Sequence, residues 1–461
     1  MRLRTAFGTL CTVVGVLLCS FSVSTDLRGQ STGDWIGQLG DANSKNRVAA
    51  VKALGALGGT LENKKVVPVL IAAFKTEKDN EVRVALLGAL GKMGPAASEV
   101  VPDLIEALGV DELRYQTVVA LGQMGAAAKS AVPQLASLLK DPDVGQVAAR
   151  ALGSMSLAAV ATLTEACGSK DVVVRSRAAY ALGEVGSKMA EEVGGGSPQI
   201  AGAIATLVTG LGDENSDVRY WVTFALGELG VKDASVISAV VERLDDKDQA
   251  VRNQAGRALG KMGGEAVPSL VQALKHEQVR VRRGAARALG EIRGEAAEGA
   301  APDLVPLLKD EDVQVRYETV LALKSIGKDA GVVAVSLVAA LKDADATVRN
   351  QSAHALVALG AASVNPLIPA LKDDAVRYVA LRALRQIGSG AKPAIAAVAE
   401  TLNDTDEKVR YESVRILESF GEEAKAAIPE LEKLLTDPSE RVRDAAKAAL
   451  EVVKVEPEKK E

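Results

Sequence analysis

The sequence predicts an all-α fold made of about thirteen stacked helix pairs, and three observations lead to this prediction. A Val-Arg dipeptide, or a close variant of it, recurs at intervals of 28 to 36 residues over most of the 461-residue chain. Each interval carries two amphipathic helical patterns. Aromatic residues make up only 3% of the chain, while alanine, leucine, valine and glycine dominate. That composition suits closely packed helices in a regular array better than the core of an ordinary globule.

Residues 1–24 are predicted to be a secretory signal peptide. Arg2 and Arg4 precede an apolar run that extends to about Phe21, and small residues follow it, so cleavage is expected after Ser24. If the segment stays uncleaved, residues 5–23 would tether the protein to a membrane, which is the one membrane contact we expect. The protein is therefore predicted to be exported, to the periplasm or the extracellular space. Residues 25–33 are predicted to be a short linker.

The mature chain is predicted to be acidic and to lack disulfides. Removing residues 1–24 deletes two arginines and no acidic residue, so the formal net charge of −5 becomes −7. This balance offers no general attraction to nucleic acid, and no nucleic-acid partner is expected. Cys167 is then the only cysteine, which excludes an internal disulfide and a cysteine metal cluster. Because Cys167 follows an apolar helical run, we expect its thiol to pack rather than to react.

The repeat region is predicted to span residues 34–453, followed by a charged tail at 454–461. Its units are defined by an anchor, the arginine of each Val-Arg pair. One interval between anchors is longer, at 44 residues, and it contains a Gly-rich insertion at residues 191–199 that is predicted to be a loop. Two anchors belong to degenerate pairs, Asn46-Arg47 and Val144-Gly145. The thirteen anchors are Arg47, Arg83, Arg114, Gly145, Arg175, Arg219, Arg252, Arg282, Arg316, Arg349, Arg377, Arg410 and Arg443.

Each unit is predicted to contain a first and a second helix. The first helix begins at a proline, as in APDLVPLLKD (residues 301–310), where the missing N–H costs nothing. The second helix begins four residues before the anchor, where Asp, Asn or Ser occurs in eleven of the thirteen units and is predicted to be the N-cap. Val110 and Gln278 are the exceptions. A Leu-Gly pair, such as Leu226-Gly227 or Leu259-Gly260, is predicted to close many of the second helices, and recurring glycines such as Gly88, Gly91 and Gly94 are expected at helix ends.

The consensus D-x-x-V-R-x-x-A-x-x-A-L-G-x-[IM]-G resembles HEAT repeats, in particular the short HEAT-like type named after the phycobilisome lyases. The resemblance covers residues 34–453. It implies a right-handed α-solenoid of HEAT-like helix pairs in which the second helices line the concave side. Repeats of this kind mostly serve as binding scaffolds, so the resemblance implies architecture more strongly than function.

The tyrosines of the chain follow the repeat. Five of the six tyrosines directly follow an anchor arginine (position +1), and the sixth, Tyr180, is at position +5. At 100° per residue, positions −1, +3, +6, +7 and +10 form the core stripe, while +1 and +5 point away from it. Positions +1 and +5 together hold seven basic residues and one acidic residue. The residues on this face that are predicted to bind a partner are Tyr115, Arg150, Tyr180, Tyr220, Phe224, Arg257, Arg283, Arg287, Tyr317, Tyr378, Arg382, Tyr411 and Arg415.

The predicted function is the binding of another protein, through an extended or acidic segment, because tyrosine and arginine are the residues most enriched at binding hot spots. A second interpretation of the same tyrosines is that each packs against the neighbouring second helix with its hydroxyl in water. The anchor arginines have a structural interpretation instead. They are predicted to form a ladder of hydrogen bonds with the capping aspartates of the same or the adjacent unit.

The sequence predicts no catalytic residues, no metal and no cofactor. Only two histidines are present, and Gly91-Lys92 and Gly260-Lys261 lack the Ser or Thr of a P-loop. A resemblance to deoxyhypusine hydroxylase, a HEAT-like enzyme that holds two irons with His-Glu pairs, is limited to His276-Glu277, since Ala355 follows His354. His276 is instead expected to be an exposed residue between the two helices of its unit. Two alternatives stay open. One is a lyase-like or hydroxylase-like HEAT enzyme or enzyme subunit, and the other is a solenoid that binds polyanions.

Overall fold

The computed structural model describes residues 31–57, 63–192, 198–292, 295–326 and 330–454, and none of them is in a strand. The predicted signal peptide (1–24) lies outside the described residues. So do most of the predicted linker (25–33), the centre of the insertion (191–199) and all but the first residue of the tail (454–461).

The described residues form twenty-six α-helices, many of them extended by short 3-10 turns. The first thirteen are α1 (Thr32–Gln38), α2 (Ser44–Gly55), α3 (Asn63–Thr76), α4 (Asn80–Met93), α5 (Val101–Ala107), α6 (Asp111–Met124), α7 (Val132–Ser137), α8 (Gly145–Ser154), α9 (Leu157–Cys167), α10 (Val172–Glu192), α11 (Pro198–Gly210), α12 (Ser216–Glu228) and α13 (Ala234–Glu242). The others are α14 (Gln249–Met262), α15 (Val267–Ala273), α16 (Val279–Glu291), α17 (Ala301–Leu304), α18 (Val313–Ile326), α19 (Ala330–Ala340), α20 (Ala346–Leu359), α21 (Val364–Ala370), α22 (Arg377–Ile387), α23 (Ile395–Glu400), α24 (Glu407–Phe420), α25 (Ile428–Lys433) and α26 (Glu440–Val453).

The even-numbered helices are the second helices of the units, because each of them contains one anchor position. The described residues therefore hold thirteen helix pairs, and the predicted all-α solenoid is confirmed. The chain divides into two compact units, residues 1–135 and 136–461. In the first, α2, α4 and α6 lie side by side. In the second, the even-numbered helices from α8 to α26 each pack against the next.

The core lies along the stripe that the periodicity predicts. In α14, positions −1, +3, +6 and +7 are fully buried, and so are the same positions of most other second helices. Small residues dominate the stripe, since positions +3 and +6 are alanine in most units. Burial of about 25 cal/mol per Å² of apolar surface, summed over many similar units, therefore supplies the main stabilisation, without large aromatic side chains.

The predicted N-caps are confirmed in eight of the eleven units. In α4, for example, the Asp79 carboxylate accepts hydrogen bonds from the N–H groups of Glu81 (2.9 Å) and Val82 (3.2 Å). Asp141 and Asp373 are not N-caps, because α8 and α22 begin three residues later than predicted, after Val144 and Val376. Ser439 is at the N-cap position, but its side chain caps no N–H and its hydroxyl instead donates to Glu407 Oε1 at 2.8 Å. Val110 and Gln278, which lack a suitable side chain, precede helices without a side-chain cap.

The prediction for the recurring glycines is wrong in part. Gly227 and Gly260 lie inside α12 and α14, at position +8, and the turn that ends many second helices uses a glycine of positive φ at position +11. A Cβ on Gly227 would lie 2.7 Å from the Cα of Ala258 on the next second helix. A Cβ on Gly290 would lie 2.9 Å from the Cα of Ala322. The glycine at +8 is thus required by the close approach of neighbouring second helices rather than by a helix end.

The anchor arginines form the predicted ladder, but with a different aspartate. Arg219 donates from Nε and Nη2 to both carboxylate oxygens of Asp246, at 2.7 Å each, and from Nη1 to the carbonyl of Asp213 at 2.8 Å. Asp246 lies six residues before the next anchor, not at the capping position four residues before it. Each bond therefore joins the loops of successive repeats. The pairs are Arg47–Glu77, Arg175–Asp213, Arg219–Asp246, Arg282–Asp310, Arg316–Asp343, Arg377–Asp404 and Arg410–Asp437.

Gly145 has no side chain to act as an anchor, and Arg177 of the next unit makes the hydrogen bonds to the loop instead. Arg177 donates from Nη1 to the carbonyls of Leu139 (2.6 Å) and Asp141 (2.8 Å), in the same loop that an arginine at position 145 would serve. A Cβ on Gly145 would lie 2.8 Å from the Arg177 Cζ and 2.8 Å from the Leu139 oxygen. Glycine at 145 therefore leaves room for the substitute guanidinium.

The ladder makes stability depend on pH at the acid end. The hydrogen bond from Arg410 lowers the pKa of Asp437 below its ordinary value of 3.8. Burial alone would raise the pKa of Asp310 and that of Asp343, but the hydrogen bonds from Arg282 and Arg316, together with backbone N–H donors and the nearby arginine charges, lower both pKa values overall. Folded pKa values below the unfolded ones stabilise the fold above about pH 4, and this stabilisation is lost as pH falls through the folded values.

We therefore expect the urea midpoint to change little between pH 7 and pH 5 and to fall steeply below about pH 4. Urea unfolding at fixed pH values from 7 to 2.5 measures this dependence. The Asp437→Asn variant should start from a lower midpoint and show a shallower acid decline. An acid decline as steep in this variant as in the parent would contradict the assignment to the ladder.

Two helical stretches, Asn80–Ala107 and Ala346–Ala370, are long and apolar enough to cross a membrane by length and composition alone. Each contains a glycine of positive φ, Gly94 or Gly360, at which a second helix ends. Each stretch is therefore a second helix followed by the first helix of the next repeat, rather than one straight helix.

Candidate functional site

Positions +1 and +5 of the second helices form a surface that we call the second-helix face. Within residues 136–461 it runs over the even-numbered helices from α8 to α26. Arg150, Arg257 and Arg382 are exposed on this face, and Tyr180, Tyr220, Phe224, Arg283, Arg287, Tyr317, Tyr411 and Arg415 are half-buried on it. The core stripe lies on the opposite side of each helix, so the side chains at +1 and +5 are available to solvent as predicted.

An aromatic cluster lies on this face between α10 and α12. The ring of Trp221 contacts those of Tyr180 and Tyr220 edge-on, with centroids 4.9 Å apart in each case. It also contacts Phe224 edge-on at 5.5 Å, and the rings of Tyr180 and Phe224 stack at 6.3 Å. The chain has only thirteen Phe, Trp and Tyr residues, so close to a third of them are gathered at this one place on the surface. We call these four residues the aromatic cluster.

Trp221 was missed by the sequence analysis, although it is the centre of the cluster. It lies at position +2, outside the two columns that the helical projection selects, and its indole reaches sideways to the neighbouring second helix. Trp221 is one of two tryptophans in the chain, and it directly follows a +1 tyrosine, Tyr220. That sequence, Arg-Tyr-Trp, was the available signal.

Gly183 makes the close packing of the cluster possible. It lies on α10 at position +8, and a Cβ there would lie 2.6 Å from Cδ1 of the Phe224 ring and 3.3 Å from the Ala225 Cα. A glycine at this position therefore fixes how deeply Phe224 settles between α10 and α12.

We expect Gly183→Ala to lower the free energy of unfolding by about 1–3 kcal/mol, because the overpacking outweighs the gain in helix propensity. The near-UV circular dichroism of the cluster should weaken as Phe224 is displaced. Chemical denaturation and the near-UV spectrum measure the two effects. Gly202→Ala on α11 is the matched control: no atom lies within 4 Å of its Cβ, so this variant should be neutral or slightly stabilised. Equal effects of the two variants would contradict the packing role of Gly183.

Arg150 of α8 extends the aromatic cluster on one side. Burial raises the pKa of Tyr180 above its ordinary value of 10.0, and a hydrogen bond with Arg150 offsets part of that rise. The phenol therefore stays protonated at neutral pH. An exposed guanidinium beside four aromatic rings combines the residue types that dominate binding hot spots.

The C-terminal part of the face is mixed. Tyr378 is 36% exposed, and Arg382, one turn later on α22, forms no ion pair within the described residues. Tyr411 is different, because the guanidinium of Arg441 lies over its ring at 3.8 Å, a cation–π contact with the next second helix. Arg415 donates to Glu418 Oε2 at 2.6 Å on its own helix. Tyr411 therefore packs against the neighbouring second helix, whereas Tyr378 is exposed to solvent.

The first compact unit carries one of the predicted residues, Tyr115 on α6. Its side chain is 55% exposed, the largest exposure of any tyrosine in the described residues. No aromatic ring contacts it there.

The described residues contain no group of three or more His, Cys, Asp or Glu side chains placed to hold a metal ion. His276 lies in a loop, where its Nδ1 accepts a hydrogen bond from the N–H of Gln278 at 3.0 Å. Burial raises the pKa of the Cys167 thiol to about 12. This thiol is therefore protonated and unreactive at neutral pH, in agreement with the packing role predicted for it.

Solved structures with a similar fold include Kap95p, which is yeast importin-beta, and the karyopherin Kap121p. A Kap95p structure concerned with the switch loops of RanGDP has a TM-score of 0.52 at 15% identity, over 92% of this chain and 68% of that one. A Kap95:Nup1 complex has a TM-score of 0.51 at 15% identity, with the same coverage. Kap121p bound to the extreme C-terminus of the phosphatase Cdc14p has a TM-score of 0.50 at 15% identity, over 92% of this chain and 54% of that one.

These similarities show the fold alone, and this chain spans only about half the length of Kap121p. No curated protein sequence matches the chain. The family model for HEAT repeats matches residues 34–122, 101–183, 204–281, 240–324, 267–357, 301–375 and 364–451, which together cover most of the sequence. The chain therefore belongs to the HEAT-repeat family.

Proposed function

We propose that this protein is an exported, non-catalytic scaffold that binds another protein through the second-helix face. The observation that carries the proposal is the aromatic cluster of Tyr180, Tyr220, Trp221 and Phe224. Of the eleven aromatic residues in the described part of the chain, three are buried in the core, whereas these four gather on a surface next to an exposed arginine. Large amphipathic rings of this kind supply much of the energy of protein–protein contacts.

The partner that fits this face is an extended, acidic segment. The exposed guanidiniums of Arg257 on α14 and Arg382 on α22 have no ion-pair partner in the described part of the chain, and Tyr378 is exposed one turn before Arg382. Such groups, spaced over several second helices, suit a segment that crosses many repeats better than one that contacts a compact patch. Two of the similar structures hold protein partners, since Kap121p binds the extreme C-terminus of Cdc14p and Kap95 forms a complex with Nup1.

We also infer that the units are the short HEAT-like type named after the phycobilisome lyases, which their spacing of 28 to 36 residues supports. A catalytic role is not part of the proposal. The chain has two histidines, and its cysteine thiol at 167 is protonated at neutral pH.

Site-specific photo-crosslinking tests the proposal. A photoreactive amino acid is placed at position 220 or 378 on the second-helix face, or at position 335 on α19 as the control. Val335 is 59% exposed but belongs to a first helix. The proposal predicts that, in native cell-envelope fractions, positions 220 and 378 give adducts with one and the same protein, which position 335 does not capture. Adducts only at 335, or different proteins at 220 and 378, would contradict it.

A further inference from the structure

The anchor Arg252 binds no carboxylate within the described residues, which is also true of Arg83, Arg349 and Arg443. In six units the Nε and Nη2 atoms of the anchor form a fork around a carboxylate, as Arg282 does with Asp310 at 2.7 and 3.0 Å. Within the described residues, the hydrogen bonds of Arg252 are limited to those from Nη1 to the carbonyls of Asp246 (2.6 Å) and Lys247 (3.1 Å). Its fork therefore has no acceptor in that part of the chain.

In the units that form the fork, the carboxylate comes from the residue six positions before the next anchor. For Arg252 this position holds His276, which corresponds to Asp310 in the following repeat. His276 Nδ1 accepts the N–H of Gln278 at 3.0 Å, just as Asp310 Oδ1 accepts the N–H of Asp312 at 2.9 Å. The histidine thus keeps the turn of the loop but provides no negative charge for Arg252. The ladder is interrupted at this point while its cation is retained.

Arg252 lines a cavity of about 80 Å³ together with three further arginines, Arg280, Arg283 and Arg287. The cavity lies between α14 and α16, and Leu244, Gln249, Asn253 and Gly284 complete its lining. Glycine at 256 leaves room for one of the guanidiniums, since a Cβ there would lie 2.8 Å from Arg287 Nη2.

The carboxylates around this cavity provide a close ion pair for Arg280 but no hydrogen bond to Nε of Arg283 or Arg287. Asp245 pairs with Arg280. The Nε atom of Arg283 is 3.6 Å from Glu318 Oε1, and that of Arg287 is 4.0 Å from Glu291 Oε1, both beyond hydrogen-bond distance. These two Nε atoms are shielded from solvent and have no hydrogen-bond partner. Unsatisfied buried donors destabilise the structure, and guanidiniums that lie close together repel one another, so the arrangement favours an added anion.

We propose that the cavity lined by Arg252, Arg280, Arg283 and Arg287 binds an oxyanion of the phosphate class. A carboxylate carries one charge and two oxygens, enough for one arginine fork. A phosphoryl group carries up to two charges and at least three acceptor oxygens, which matches several convergent guanidiniums. The amide of Gln249 adds a polar group at the wall, while Asn253 Oδ1 accepts a hydrogen bond from Arg287 Nη1 at 3.0 Å and so orients that guanidinium. Because Asn253, Arg283 and Arg287 are at positions +1 and +5, the site belongs to the second-helix face and deepens the proposed function.

Inorganic phosphate is the probe that tests this site, and it needs no partner protein. Isothermal titration of the full chain in a chloride buffer should show one saturable phosphate site. The Arg252→Gln and Arg287→Gln variants should each weaken phosphate binding by about tenfold or more. Arg252→Lys keeps the charge but loses the fork, so it should weaken binding by about fivefold or more. Arg349→Gln is the matched control, because Arg349 is an anchor that also binds two loop carbonyls through Nη1 but does not line the cavity, and this variant should bind phosphate as the parent does.

Absence of saturable phosphate binding by the parent would overturn the proposal, and so would unchanged affinity in both Arg252→Gln and Arg287→Gln. Circular dichroism of each variant without phosphate shows that it is folded. If Arg287→Gln does not fold, Arg252→Gln still decides, because the fork it removes binds no protein group. If a phosphoserine peptide binds more tightly than inorganic phosphate, the natural ligand of the site is a phosphorylated partner protein. If the two bind with equal affinity, the natural ligand is the free phosphate ion. Photo-crosslinking at position 220 tests partner binding independently of phosphate binding. A failure of the proposed function can therefore be distinguished from a failure of the phosphate site.

Discussion

Asp246→Ala is expected to lower the free energy of unfolding by about 3–5 kcal/mol, a larger loss than we expect from any other single substitution in this chain. The side chains of Asp246 and Arg219 are 3% and 4% exposed, and their two hydrogen bonds are 2.7 Å long. Removing the carboxylate leaves the buried guanidinium without its counter-charge and frees the N–H of Asp248, which now donates to Asp246 at 2.8 Å. The loops of two successive repeats would then lose their connection.

Fluorescence of Trp221 during urea unfolding measures this loss locally, because Trp221 lies on the same helix as Arg219. The only other tryptophan is Trp35, so a Trp35→Phe background makes the signal unambiguous. Asp374→Ala is the matched control, since Asp374 also pairs with an anchor arginine but is 90% exposed, and it should cost less than about 1 kcal/mol. Equal losses in the two variants would contradict the structural role of the ladder. The double variant Arg219→Met with Asp246→Leu should cost less than Asp246→Ala, because no buried charge is left unpaired.

Trp221→Ala is expected to weaken binding of the cross-linked partner segment by about 30-fold or more, equivalent to about 2 kcal/mol or more. Trp221 contacts the other three rings of the aromatic cluster, so its removal takes away the largest apolar surface and loosens the rest. Titration of the purified segment against each variant measures the change.

Two further variants separate binding from folding. Tyr378→Ala, at a 36% exposed position with no ring neighbour in the described residues, should weaken binding without changing stability. Val335→Ala on α19 should change neither. Retention of parental affinity by both Trp221→Ala and Tyr378→Ala would remove the second-helix face as the binding surface.

The sequence predicted the helices, their caps and their faces, because these features repeat with the period of one helix turn or one unit. Asp79 was recognised as a cap, and position +1 as a solvent-facing position, on local spacing alone. Contacts between units were harder to predict, because nothing local in the sequence pairs Arg219 with Asp246, 27 residues later. The column six residues before each anchor is acidic in eight of thirteen units, and this was the signal that could have identified the correct aspartates.

Departures from the repeat were the least predictable features and bear most directly on function. Gly145 was predicted to be a degenerate anchor, and only the structure shows that Arg177 takes over the role. Trp221 lies off the two predicted columns, yet it centres the aromatic cluster. His276 was predicted to be an exposed residue between two helices, as it is, but its consequence, the unpaired fork of Arg252, was not predicted. Each departure acts on a neighbouring repeat, which a single helical projection does not represent.

Hydroxyl-radical footprinting of the partner complex tests the central proposal most directly, because aromatic side chains are few in this chain and each can be followed separately. Binding through the second-helix face predicts that Tyr220, Trp221 and Tyr378 lose reactivity when the partner is added, while the exposed valines Val332 and Val335 of α19 keep theirs. Protection of α19 with unchanged reactivity of Tyr220, Trp221 and Tyr378 would contradict the account and place the contact on the first helices.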